Sequence, residues 1–68
     1  MKVEVNGEFV ALTPGATVAA AIDAAGAASD RRGLAVAVDG EVVPRSAWEA
    51  TRLRDGDAVE VLAAVAGG

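Results

Sequence analysis

Polar and apolar residues alternate at the start of the chain and predict a β-hairpin. Residues 2–6 have the period-two pattern of a half-buried strand. Asn6-Gly7 is the favoured dipeptide of a two-residue type I′ turn, because both central positions need a positive φ. Residues 8–12 then return as the second strand. This turn places Phe9 opposite Glu4, on the sheet face away from the valines.

The next segment predicts one short helix. We expect Thr17 to be its N-cap, since a threonine hydroxyl can accept a hydrogen bond from a first-turn amide. Apolar residues then recur at helical spacing: Val18, Ala21, Ile22 and Ala25. Gly26 favours the left-handed conformation that ends a helix. Residues 27–33 are predicted as a loop.

A second hairpin follows. Residues 34–38 form an apolar strand, Asp39-Gly40 is another type I′ turn, and residues 41–43 return. Pro44 ends this strand because it has no backbone donor.

Two further elements complete the chain. Ser46 as N-cap and Glu49 at the third helical position fit a capping box and predict one helical turn. Residues 54–57 predict a turn, and residues 58–63 predict a last strand. That strand places Val59 and Val61 on one face and Glu60 and Leu62 on the other.

Together these elements predict an α+β fold, a mixed sheet of two hairpins plus a final strand with one main helix packed on one face. Apolar residues make up 53% of the 68 residues, but 17 of them are alanine, so only one small core can form. We therefore expect one domain over residues 1–63 and a flexible C-terminal tail over residues 64–68.

The composition excludes several kinds of chemistry. The chain has no Cys and no His, which removes disulfides, thiolate or imidazole metal sites and His-assisted nucleophilic catalysis. A net charge of −4 argues against nucleic acid and anionic membranes as partners, and favours a monomer. No apolar run approaches the roughly 20 residues that span a bilayer, and no signal peptide is visible, so we expect a cytoplasmic protein.

The outer face of the predicted sheet carries apolar side chains that the helix does not cover. Strand alternation places Phe9, Val42 and Leu62 on this face, together with Glu60. An exposed apolar patch on a small protein often marks a partner-binding surface. The alternative is that Phe9 folds over a sheet edge and that single exposed apolar residues have no function.

Trp48 has two interpretations. As the only tryptophan it can fill the core beside Pro44 and Leu53, which we favour, or anchor a partner. The role of Arg45 stays open.

The chain ends in two glycines. Residues 64–68 carry no charge and no side chain larger than valine. Such a segment can thread a narrow channel and place its terminal carboxylate against a nucleotide. The alternative is a frayed end without a function.

Motifs along the whole chain resemble the bacterial sulfur carrier proteins of the ubiquitin-like β-grasp fold. The most specific are Asp55-Gly56-Asp57 before a valine-rich last strand and the terminal Gly67-Gly68. Val43-Pro44-Arg45 followed by Trp48 is similar to the sulfur carrier of thiamine (thiazole) biosynthesis. Further features that fit are Asn6 at the first hairpin, Gly15 and Thr17-Val18.

The resemblance implies a carrier and not an enzyme. A ubiquitin-activating-like adenylyltransferase would use ATP to adenylate the carboxylate of Gly68, and no cofactor would be bound by the carrier itself. The adenylate would become a thiocarboxylate whose sulfur passes to thiazole synthase. The tail residues expected to enter partner active sites are Ala64, Val65, Ala66 and Gly67. The partner-binding surface would be the open sheet face with Phe9, Val42, Glu60 and Leu62.

Two alternatives stay open. Within the same fold, the chain can be the small subunit of molybdopterin synthase or the sulfur carrier of another pathway. From a different class, it can be a ubiquitin-like interaction module whose terminal glycines are incidental.

Overall fold

The structure is a computed structural model and describes residues 1–26 and 33–63. Its elements in chain order are β1 (Lys2–Val5), β2 (Glu8–Ala11), α1 (Val18–Ala24), β3 (Leu34–Val38), β4 (Glu41–Val43), a 3₁₀ helix (Arg45–Ala47) and β5 (Ala58–Ala63). The predicted α+β fold is confirmed. The predicted loop 27–33 lies, except for Gly33, outside the described residues. So does the predicted tail 64–68.

Both hairpin registers agree with the sequence prediction. Glu4 pairs with Phe9 across the first hairpin, and Val36 pairs with Val43 across the second. Asn6 and Asp39, the first residues of the two turns, both have a φ of 50°. Each is followed by a glycine with a φ of 85°, as a type I′ turn requires.

The last strand lies at the centre of the sheet. The strand order is β2-β1-β5-β3-β4, in which β5 runs parallel to β1 and antiparallel to β3. The parallel ladder joins residues that are more than fifty positions apart, including a 2.8 Å bond from the Glu4 amide to the Asp57 carbonyl. Each hairpin thus pairs with one edge of β5.

One sheet face packs against α1 and encloses the core. Among the described residues, the buried apolar side chains are Val3, Val5, Val18, Ala19, Ala21, Ile22, Val36, Trp48, Leu53, Val59 and Val61. The core residues that come from the sheet are alternate residues of its strands, because successive side chains of a strand point to opposite faces. The valines predicted to face the helix do so, and the opposite face stays open.

The predicted side-chain cap of α1 is wrong. Thr17 occupies the N-cap position, but its hydroxyl makes no capping bond. Backbone carbonyls satisfy the first free amides of the helix instead: the Val18 amide donates to Thr51 at 2.9 Å, and the Ala19 amide donates to Trp48 at 3.1 Å. Tertiary packing therefore replaces the local cap.

The predicted capping box at Ser46 and Glu49 is also wrong. The helical turn is a 3₁₀ helix that begins at Arg45, so Ser46 lies inside it and Pro44 occupies the N-cap position without a side-chain cap. The Pro44 carbonyl accepts the Ala47 amide at 2.8 Å. With Pro44 at the N-cap position, the helical turn begins two residues earlier than it would with a cap at Ser46.

Burial predicts the effect of truncating valines on this sheet. Val36→Ala should lower the free energy of unfolding by about 2 kcal/mol, because Val36 is fully buried and its loss leaves a cavity. Val42→Ala is the matched control, since Val42 is 78% exposed on the adjacent strand. This substitution should change the free energy of unfolding by less than about 0.5 kcal/mol. Urea denaturation followed by circular dichroism measures both. Equal losses would contradict the assignment of the two sheet faces.

Candidate functional site

The open face of the sheet is the first component of the candidate site. Its apolar members are Phe9, Val42 and Leu62, which are 75%, 78% and 61% exposed. Cross-strand pairs place Leu62 beside Ala35, and Ala37 between Val42 and Glu60. The two alanines leave a shallow depression of about 100 Å³ between the larger side chains.

Val42, Glu60 and Leu62 form one cluster around this depression. We call it the β3–β5 patch, and define it as these three residues with Ala35 and Ala37. Its apolar floor has a single acidic group, the exposed carboxylate of Glu60. A surface of this kind can bury apolar side chains of a partner and accept a hydrogen bond or a positive charge at one edge.

Phe9 lies on the same face but apart from the patch. It pairs with Glu4, which pairs with Ala58, whereas Leu62 lies four residues further along β5. With a rise of about 3.3 Å per residue and a strand spacing of about 4.8 Å, the Cα atoms of Phe9 and Leu62 are roughly 16 Å apart. A partner that contacts both must therefore cover most of the sheet.

The end of β5 is the second component. Leu62 and Ala63 pair with Ala35 and Leu34 of β3. On the other edge β1 has already ended, and the side-chain amide of Asn6 bonds both backbone groups of Val61. The last described residues of β5 thus lie directly beside the β3–β5 patch.

The residues predicted to enter partner active sites follow this point. Ala64, Val65, Ala66, Gly67 and Gly68 lie outside the described residues. Fully extended, the five residues after Ala63 reach at most about 17 Å. Any group that reacts with Gly68 must therefore come within that distance of the end of β5.

Trp48 belongs to the core and not to an exposed partner surface. Its side chain is only 2% exposed, and its indole Nε1–H donates to the Val43 carbonyl at 2.8 Å. The Arg45 guanidinium lies over the ring, with Cζ 5.8 Å from the ring centroid. This geometry is a cation–π contact. The contact gives Arg45 a structural role, which the sequence alone did not decide.

The Asp55-Gly56-Asp57 turn has a structural explanation. The Asp55 carboxylate accepts the Lys2 amide at 2.7 Å, and the Asp57 carboxylate accepts the Arg54 amide at 2.8 Å. The Gly56 amide donates to the Lys2 carbonyl at 2.8 Å. The motif therefore fixes the start of the parallel β1–β5 ladder. Among residues 1–26 and 33–63, no group of acidic side chains is arranged to hold a metal ion.

Sequence reasoning missed one contribution to the site. Asn6 was recognised as a turn residue, but its contact with Val61 was not predicted. A turn motif specifies backbone conformation between neighbouring residues, and it carries no information about a strand that is 55 positions away.

The part of the chain that the structure describes also contains no helix that is long and apolar enough to cross a membrane.

The fold and the site define a class of protein. A five-stranded mixed sheet with a central parallel pair and one helix across a single face is the ubiquitin-like β-grasp fold. Here the central strand carries part of an exposed apolar patch, and the sequence that follows it ends in Gly-Gly. The ThiS family model matches residues 3–68, and the chain belongs to the ThiS family.

Solved structures agree with this assignment. The crystal structure of the thiamine biosynthesis protein ThiS from Geobacter metallireducens is 34% identical, with a TM-score of 0.80 and complete coverage of both chains. An NMR structure of a thiamine biosynthesis protein from the same organism is 36% identical, with a TM-score of 0.76; the match covers 100% of this chain and 88% of that chain. Comparison with curated protein sequences gave no match.

The role of Trp48 leads to a prediction. Trp48→Phe should lower the free energy of unfolding by about 2 kcal/mol, because it removes buried volume and leaves the Val43 carbonyl without its indole donor. Circular dichroism in urea measures the change, since the variant has no tryptophan for fluorescence. A neutral result would contradict the core role and support the alternative of an exposed partner anchor.

Proposed function

We propose that this protein is a sulfur carrier for thiazole formation in thiamine biosynthesis. The observation that carries the proposal is the family match, which runs through the C-terminal Gly67-Gly68 to residue 68. The position of β5 supports it, because this central strand precedes the Gly-Gly end in sequence and carries part of the exposed β3–β5 patch. The similar structures from Geobacter metallireducens are named as thiamine biosynthesis proteins.

The proposed chemistry takes place at the carboxylate of Gly68. A carboxylate is a poor electrophile until one of its oxygens becomes part of a better leaving group. The partner adenylyltransferase joins it to the α-phosphorus of ATP and releases pyrophosphate. Hydrosulfide then attacks the acyl carbon, AMP departs with the electron pair of the broken acyl–oxygen bond, and a base takes the S–H proton, which leaves a thiocarboxylate. The sulfur comes from outside, because the chain has no Cys.

The division of labour follows from the composition. The described residues include no His or Cys, and their carboxylates accept backbone amides at turns, lie on exposed surface or, at Glu4, are half-buried on β1. General acids and bases for adenylation and sulfur transfer would therefore belong to the partners. We infer a carrier that is acted on by a ubiquitin-activating-like adenylyltransferase and by thiazole synthase, with ATP consumed by the former.

The β3–β5 patch is the proposed contact with both partners. It lies next to the last described residues, so a partner docked on it would have Gly68 within the reach of about 17 Å. An apolar surface of small and medium side chains is suited to reversible docking, which a carrier that moves between two enzymes needs. Phe9 would extend the contact only for a partner that crosses β1.

A second carrier function differs only in the enzyme that accepts the sulfur. The molybdopterin synthase small subunit and other sulfur carriers would use the same terminal chemistry. The names of the similar structures favour the thiamine pathway. An interaction module without sulfur transfer would not require Gly68 at all.

The carrier chemistry is tested by intact-protein mass spectrometry. The protein is incubated with ATP, a sulfide source and the activating enzyme from the same organism. We expect a mass shift equal to one oxygen replaced by sulfur, because the thiocarboxylate is the final form of the tail. Deletion of Gly68, or one residue added after it, should abolish the shift. No shift with a demonstrably active enzyme would reject the sulfur carrier and leave the interaction module.

The docking surface is tested separately from the tail. Leu62→Ser should weaken binding to the activating enzyme by roughly tenfold or more, since it places a hydroxyl in an apolar contact. Phe9→Ser is the comparison, since Phe9 is an even more exposed apolar residue on the same face but lies away from the patch. Calorimetric titration measures both affinities. Unchanged binding by the Leu62 variant would contradict the patch as the contact.

A further inference from the structure

We propose that Asn6 is a positioning residue that holds the end of β5, from which the C-terminal segment follows, in a fixed place in the sheet. The Asn6 side-chain amide donates from Nδ2 to the Val61 carbonyl at 3.0 Å, and its Oδ1 accepts the Val61 amide at 2.8 Å. One side chain therefore satisfies both polar groups of one residue on β5. The proposal rests on the proposed function, in which Gly68 must reach a partner's active site.

The contact takes the place of a missing strand residue. Backbone bonds join β1 to β5 as far as Asn6, whose amide donates to the Val59 carbonyl at 2.9 Å. The chain then turns away at Gly7, with Asn6 held at a φ of 50°. A side-chain amide has the same donor and acceptor as a peptide group. Asn6 thus extends the parallel ladder by one residue pair after the backbone has left it.

This extension matters because of where Val61 lies. Leu62 and Ala63 are the last described residues and pair only with β3 on one edge. Val61 is therefore the last point at which β5 is held from both edges. If that hold is lost, the part of β5 that β3 alone holds grows from residues 62–63 to residues 60–63, and the end of the strand is less firmly held in position.

The second hairpin provides an internal comparison. Asp39 has the same φ of 50° at the same position of the same type of turn. Its carboxylate also bonds β5, accepting the Ala58 amide at 2.9 Å. This contact lies at the beginning of the strand and not at its end. Both turns thus hold β5, but of these two contacts only that of Asn6 lies near the end of the strand.

The matched variants are Asn6→Gly and Asp39→Gly. Each keeps a residue that tolerates positive φ, so the type I′ turn is retained, and each removes the side chain that bonds β5. In Asn6→Gly, amide hydrogen exchange at Val61 should accelerate roughly tenfold, while the Glu4 amide on the same ladder keeps its rate. In Asp39→Gly the Val61 rate should not change. Asn6→Asp keeps the acceptor for the Val61 amide and should restore part of the protection.

The functional readout separates positioning from stability. Loss of folded protein lowers the concentration of competent carrier and so raises the apparent KM for adenylation. A misdirected chain end lowers the fraction of productive encounters and so lowers kcat, which we expect to fall about tenfold in Asn6→Gly. Asp39→Gly should leave kcat unchanged.

Each outcome decides the proposal. Local acceleration at Val61 together with a lower kcat supports it. Unchanged exchange at Val61 overturns it whatever the kinetics show, and so does an unchanged kcat, or an equal loss of kcat in the Asp39 variant. If an activating enzyme that is active on its own carrier does not adenylate the wild-type protein, the proposed function fails and the positioning role fails with it. The exchange rates then still show whether the contact itself exists.

Discussion

The structure depends on the insertion of the last strand between two hairpins. Each hairpin is local, and its turn determines its register. The inner strands of the two hairpins, β1 and β3, are joined to each other only through β5, which lies between them. A two-stranded hairpin alone is marginal in water, whereas five strands with a helix on one face enclose a core. The parallel β1–β5 ladder therefore joins the first and the last strand of the fold. Because α1 is only seven residues long, it too relies on this packing, and carbonyls of the 48–51 segment satisfy its first free amides.

The same constraint connects the fold to the proposed function. A carrier has to present its C-terminus while the rest of the chain stays folded. Here the strand nearest to that terminus is the most central one, held by β3 on one edge and by β1 with Asn6 on the other. The exposed β3–β5 patch lies on the open face of that strand and its neighbours. The proposed docking surface and the end of β5 thus belong to the same sheet.

Local sequence signals predicted the local features. The Asn6-Gly7 and Asp39-Gly40 turns determined both hairpin registers, and strand alternation placed Val42 and Leu62 on the exposed face. The signals failed where a distant part of the chain competes. Thr17 does not cap its helix, because carbonyls of Trp48 and Thr51 reach the first amides. The contact of Asn6 with Val61 was not predicted because no local pattern encodes it. The resemblance to sulfur carriers, which the family match confirms, came from motifs spread along the whole chain.

The central claim is that Gly68 carries sulfur in the cell. The most direct measurement is the mass of the C-terminal peptide of the protein isolated from its own organism under thiamine limitation. A sulfur carrier predicts that a fraction of that peptide, ending in Gly67-Gly68, has one oxygen replaced by sulfur, and that the fraction changes when thiamine is supplied. A peptide that is found only as the free carboxylate while the cells are making thiamine would contradict the account.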